Sequence, residues 1–393
     1  MSEERLVPKL RFSGFTDEWN DVTLNDVATF SKGKGISKND ISNYGIECVR
    51  YGELYTKYNE MIYNIESKTD LDKNELKLSE KNDILIPCSG ETAIDLATAS
   101  CIQKDQVAIG GDITVIKTNQ YAPFITYYLN QKKTEIAKYA QGVSIVHLYP
   151  KDFKVMNIRI PSINEQKMII RLLEEITKKE QLLESKYQQY QEFKKYLMQQ
   201  IFTQKLRFDD NCHYKTKKVK DFLTESKIEG TDDINKRLTV KLNLKGITVR
   251  ESKTIEKEGA TKQFIRKSGQ FIYGKQNLHK GAFGIVPKEL DGYLSSSDIP
   301  SFDFKGEIEP KWFYYYFSRK SFYESLESLS TGTGSKRISP KEFLNIKLIV
   351  PELKEQHRIV CLFAKVDEEI NGISNQILQM NRFKKSLLQQ MFV

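Results

Sequence analysis

The strongest constraint on this chain is that it contains the same plan twice. From Ile169, every seventh residue reads Ile169, Ile176, Leu183, Tyr190, Leu197, and a companion series reads Leu173, Glu180, Tyr187, Lys194, Ile201. That spacing lays one apolar seam along a helix, as a coiled coil requires. Moving each number up by 190 gives Ile359, Val366, Ile373, Met380, Leu387 and Phe363, Ile370, Ile377, Lys384, Met391. The seam is rebuilt, and its Lys recurs in phase. The ends agree in letters as well: Glu165-Gln166 with Glu355-Gln356, and Phe193-Lys194-Lys195 with Phe383-Lys384-Lys385. Two such helices, half a chain apart, are expected to pack on each other. Glu180, Lys194 and Lys384 are the polar exceptions, which either set the register or lie at the seam's edge.

The duplication reaches beyond the helices. Lys9-Leu10-Arg11-Phe12 recurs as Lys205-Leu206-Arg207-Phe208, and the residues after each follow in phase at offsets of 195 and 196. Two copies with a period this long mean a duplicated domain and not a solenoid. Each copy runs in one order. A buried-strand run (Asp83 to Pro87; Gly269 to Tyr273) precedes a turn and strand (Gly110 to Ile116; from Ser296). An aromatic helix comes next, from Phe124 through Tyr139 and from Trp312 to Phe317. At helical spacing these aromatics read as core and not as stacking platforms for bases. A Gly-bearing loop then leads to Pro-Lys-acid-Phe (150–153; 340–343), a strand, a Pro and the long helix. Ser162 with Glu165 fits a capping box, which the second copy lacks. Gly372 falls inside the second helix, where Gly costs about 1 kcal/mol against Ala.

Composition narrows the class. The 393 residues suffice for more than one domain, and the 39% hydrophobic content includes no run near the ~18 apolar residues of a membrane span. The opening MSEERLVPKLRF lacks the apolar core of a signal peptide, so a cytoplasmic protein is expected. Five cysteines without a CxxC pair and four scattered histidines argue against a disulfide framework or a metal site. Net charge is +9, and 213–275 holds 16 Lys and Arg against 8 Asp and Glu. An excess concentrated in one segment points to a polyanion-binding face.

Signatures of catalysis are missing. There is no Gly-rich fingerprint between strand and helix, and no Asn-Pro-Pro-aromatic segment of the adenine-methylase type. Thr331-Gly332-Thr333-Gly334-Ser335-Lys336 lacks phosphate-loop spacing but suits a nucleic-acid-facing loop. There Thr333, Ser335 and backbone amides would meet phosphates, and Lys336 and Arg337 would reach phosphate or guanine. Ser144 and His147 are the first-copy counterparts. Ser89-Gly90 has no evident His–acid partner and is read as a loop offering polar groups to base edges, with Gly274-Lys275-Gln276 in its place in the second copy. Lys32 and Lys34, Arg50-Tyr51, Arg250 with Lys253, and Arg266 complete the candidate set. Each alone reads as surface charge; the set is what carries the expectation.

The order of these motifs resembles the specificity subunits of type I restriction–modification enzymes. The resemblance covers essentially the whole chain. It rests on the Pro-x-x-x-Glu-Gln entries (161–166; 351–356), the Phe-Lys-Lys-x-Leu-x-Gln-Gln exits (193–200; 383–390) and the opening Lys-Leu-Arg-Phe-Ser-Gly-Phe-Thr-Asp-Glu-Trp. It implies an α/β (α+β) chain with a pseudo-twofold internal duplication. Two target-recognition domains (1–159, 209–349) are separated by a central spacer helix (160–208) and a C-terminal one (350–393), paired as an antiparallel coiled coil. Each domain would read half of an asymmetric bipartite duplex. Two methylase subunits would dock on the frame and restriction subunits would join them, leaving this chain non-catalytic and without a cofactor. A helix of ~40 residues spans ~60 Å, more than one DNA turn, so it would serve as a ruler for the spacer. Two rival readings are a recognition protein with its own methyltransferase activity and a coiled-coil or membrane-surface scaffold with basic lobes.

Overall fold

A computed structural model describes residues 7–141, 146–251, 259, 261–330 and 336–392. It divides into two compact units, residues 1–184 with 376–393, and residues 185–375. Both long helices are present, Ile163–Phe202 and Leu353–Met391. Each is shared between the units, so each unit pairs the first part of one helix with the last part of the other.

In the first unit, Ile169, Leu173 and Ile176 share a core with Leu387 and Met391, and Lys384 donates to Glu180 at 2.9 Å. In the second, Lys194 meets Asp367 at 2.5 Å and Phe202 stacks on Phe363 at 5.9 Å. Residue numbers rise along one helix as they fall along the other, so the pairing is antiparallel. Seven of the ten seam positions are buried, and Leu183, Tyr190 and Met380 are half-buried. The heptad spacing therefore names the packed face. The three polar seam residues all lie in ion pairs. The Lys384–Glu180 pair is the more buried of the two, so stranding one of its charges is the costlier break.

Each unit is built on a three-strand antiparallel core with the same order. It is Ala28–Lys32, Ile113–Thr118, Ile84–Pro87 in the first, and Leu223–Ser226, Ser301–Phe304, Phe271–Tyr273 in the second. A short ladder closes each unit beside its long helix: Asn20–Thr23 with Asn157–Ile160, and Tyr214–Lys218 with Lys347–Pro351. The aromatic stretches are core. Trp312, Phe313 and Phe317 are at most 1% exposed, as are Phe124 and Tyr127. The first aromatic helix does not continue through Tyr139 as expected. It ends at Gln131, because Lys132 leaves helical geometry and its N–H bonds the carbonyls of Tyr128 and Leu129. Shorter turns follow, Lys133–Ile136 and Ala137–Tyr139.

The Glu-Gln pair opening each long helix has a definite job. Gln166 is fully buried, its Oε1 accepts the N–H of Tyr121 at 3.0 Å, and its Nε2 donates to the Pro161 carbonyl at 2.9 Å. Gln356 does the same with Glu309 N–H (2.8 Å) and Pro351 (3.0 Å). One amide thus ties the preceding strand to the start of the aromatic helix in both units. The capping box expected at Ser162 is only half formed. Ser162 Oγ accepts the Glu165 amide at 3.5 Å, but the Glu165 carboxylate takes Arg11 in a bidentate pair at 2.7 and 2.8 Å. The echo of that pair is not a copy, since Glu355 accepts the Phe208 amide while Arg207 covers the Tyr214 ring.

Candidate nucleic-acid interface

Each letter of Pro-Lys-acid-Phe has a local reason. Pro150 and Pro340 start the short helices Pro150–Lys154 and Pro340–Leu344, where a missing N–H is harmless. The acid accepts the amide before the Pro, Tyr149 N to Asp152 at 3.0 Å and Ser339 N to Glu342 at 2.7 Å. Phe153 and Phe343 are fully buried. With the Phe pinned inward, Lys151 and Lys341 are left exposed.

In the first unit this turn faces several sequence candidates. Lys32 Nζ lies 5.9 Å and Lys151 Nζ 5.7 Å from the centre of the Tyr149 ring. His147 stacks on the same ring at 6.2 Å, and Ser89 Oγ lies 3.2 Å from His147 Nδ1. The Lys32-Gly33-Lys34 loop is pinned by close backbone approach. A Cβ on Gly33 would come 2.0 Å from the Gly110 carbonyl, and Lys34 N–H bonds Ile109. Gly110 N–H in turn bonds Val49, next to Arg50. Lys32 and Ser89 thus meet at the Tyr149–His147 turn, while Lys34 and Arg50 flank the backbone of Ile109 and Gly110. Tyr51 is exposed beside them, and the Arg50 guanidinium sits 3.8 Å from Glu53. Ser89 and Gly90 are buried, Gly90 against Leu96, so both contribute packing more than base contact. Among the described residues no carboxylate is found bonded to the His147 imidazole.

The second unit repeats the arrangement with different residues. Leu148 N–H bonds Cys88 and Cys88 N–H bonds Asp112, while Ile338 N–H bonds Lys275 and Lys275 N–H bonds Asp298. These matched bonds equate Cys88 with Lys275, two positions away from the alignment of Ser89-Gly90 with Gly274-Lys275 that the sequence suggested. Lys227 stands for Lys32, and Lys341 for Lys151. Together with Lys275, Phe264, Ser297 and Ser339 they line a cleft of about 370 Å³.

Arg266 was expected at the surface and is 1% exposed. Its guanidinium holds together the floor of this cleft, donating to the Ser295 and Ser301 hydroxyls at 2.6 and 2.7 Å and to three main-chain carbonyls. Burial pushes it down to about 10, so it stays charged at neutral pH. Arg337 reaches Asp298 at 3.1 Å beside the cleft, and Lys336 pairs with Glu327. Arg250 follows the hairpin strand Ile247–Val249, its N–H bonding the Arg237 carbonyl. Ser144, Lys253, Thr333 and Ser335 lie outside the described residues. Tyr149, Lys151, Lys227 and Lys341 were not singled out as contacts, although the Pro-Lys-acid-Phe echo and the 195-residue offset carried the signal. Among the described residues there is no cluster of three His, Cys, Asp or Glu able to hold a metal. No described helix is long and apolar enough to cross a membrane.

Comparison with known proteins decides the family. The model of the type I restriction modification DNA specificity domain matches residues 16–192 and again 204–380. The chain belongs to the type I restriction–modification DNA specificity family. The MjaVIII specificity subunit of Methanocaldococcus jannaschii is 22% identical, with 95% of this chain and 91% of that protein aligned. The EcoKI specificity subunit of Escherichia coli K12 is 20% identical, covering 95% and 88%. The fold agrees with the S subunit from M. genitalium (TM-score 0.63, 15% identity, 98% and 99% covered). It also agrees with the HsdS subunit from Thermoanaerobacter tengcongensis (TM-score 0.50, 13% identity, 95% and 96% covered). The chain is thus a DNA specificity subunit, and its two family domains each carry one cation cluster.

Proposed function

We propose that each family domain reads one half of an asymmetric bipartite duplex target through its cation cluster and neighbouring loops. The supporting observation is the repetition of Lys32, Tyr149 and Lys151 as Lys227, Ser339 and Lys341 on equivalent turns. Conserving the cations while changing the residues between them suits a frame that keeps phosphate contacts and varies base contacts. The recognition domains are taken as 1–159 and 209–349, with the helices setting the spacer and presenting a docking surface to two methylase subunits; restriction subunits complete the complex. Phe193 and Phe383, equivalent positions of the helix exits, are 49% and 52% exposed, which supports docking there. The chain itself is non-catalytic, acts in the cytoplasm, and leaves methylation and cleavage to its partners.

Methylome sequencing of cells expressing the chain with its methylase subunits tests this directly. A two-part motif is expected. Exchanging 13–150 for the equivalent segment of a relative should change one half only, and a change in both halves defeats the modular reading. Methylation of DNA by the purified chain alone overturns the non-catalytic assignment.

A further inference from the structure

The two cation clusters differ in one respect that bears on how DNA is held. In the first unit the position that bonds both the neighbouring strand and the Asp112 carbonyl is Cys88, which is buried. In the second it is Lys275, half-buried at the wall of the cleft. Lys341 lines that cleft from the short helix, and Lys227 from the end of Leu223–Ser226. Lys227 is already engaged, 3.0 Å from Glu225, which leaves Lys275 and Lys341 as the cations available to a ligand. Beneath them lies Arg266, whose five hydrogen bonds all end on neutral hydroxyl or carbonyl oxygens. Glu225 also lines the cleft and offsets part of that buried charge while it pairs with Lys227; an anion bound between the lysines offsets more of it. Ser297 and Ser339 add hydroxyls at the rim.

We propose that this cleft is a phosphodiester subsite in which Lys275, where the first unit has Cys88, and Lys341 clasp one backbone phosphate of the DNA over the buried Arg266. The inference rests on the DNA-reading role given above and adds to it a fixed anchor on one side of the target. It assigns Lys275 to positioning and not to base reading. Phosphate contacts carry no sequence information, whereas base contacts do.

The test uses the full chain assembled with its methylase subunits, and duplexes with and without the target found by methylome sequencing. Lys275→Gln and Lys341→Gln should each weaken binding to both duplexes alike and lower the slope of log K against log salt by about 0.9. Circular dichroism and complex assembly should match the parent. Scanning the target duplex with neutral methylphosphonates should find one linkage whose substitution weakens the parent about tenfold, as loss of one charge-assisted contact of roughly 1.4 kcal/mol would. That linkage should have a smaller effect on Lys275→Gln, where only Lys341 still faces it, and none on the double variant. Lys341→Gln keeps the test open if Lys275→Gln assembles poorly. Loss of discrimination at one base with an unchanged salt slope would make these lysines base readers and overturn the subsite, leaving the DNA-reading role intact. A parent complex that selects no duplex would overturn both.

Discussion

Replacing Gln166 by Met tests whether one side-chain amide joins strand, aromatic helix and long helix. The substitution keeps the side chain's length and removes both polar ends. It leaves the Tyr121 N–H and the Pro161 carbonyl, which bond Gln166 at 3.0 and 2.9 Å, without their partner at a residue that is 0% exposed. Each orphaned buried group costs about 1–3 kcal/mol, giving 2–6 kcal/mol for the two. The apolar replacement recovers part of this, about 1 kcal/mol for the desolvated amide it removes. A net loss of roughly 1–5 kcal/mol is therefore expected. Chains of two units need not unfold in one step, so the assay is native-state hydrogen exchange resolved by peptide. Protection should fall across 122–131 and the first turns of Ile163–Phe202. The matched Gln356→Met should act on Pro310–Phe317, and the exposed Gln199→Met should do neither. A Gln166→Met protein with parental protection at 122–131 would refute the reasoning.

Other expectations follow from single features. Gly372→Ala should stabilise the chain by about 1 kcal/mol, because the helix runs unbroken through it and a Cβ there meets nothing within 4 Å; a lower urea midpoint would contradict this. Lys384→Leu alone should cost about 2–3 kcal/mol by stranding Glu180, and adding Glu180→Leu should recover most of it; a double variant as unstable as the single would argue against a seam ion pair. Burial pushes the Cys101 thiol up to about 12 from an ordinary 9.0. The folded state then holds that proton longer than the unfolded chain does. Stability from this group is complete below pH 9 and falls by up to about 1.4 kcal/mol per pH unit as pH rises toward 12. Urea midpoints of the parent should therefore fall more steeply between pH 9 and 10.5 than those of Cys101→Ala. With thiol reagents, exposed Cys361 should react at once, while buried Cys48, Cys88 and Cys101 should await unfolding.

What the sequence alone determined was periodic and repeated. Helix seams, the duplicated order of strands and the aromatic cores depend on spacing, and spacing survives in one dimension. Tertiary structure decided everything that joins distant residues. His147 reaches Ser89 across 58 positions, and Arg11 takes the carboxylate that local capping logic had given to Ser162. Arg266 shows the limit most plainly: its letter reads as surface charge, but three serines brought together by separate strands let it lie buried. The long repeated stretch stays the frame of the chain. Only the fold determined that each unit takes half of each helix, since that division depends on which face meets which core.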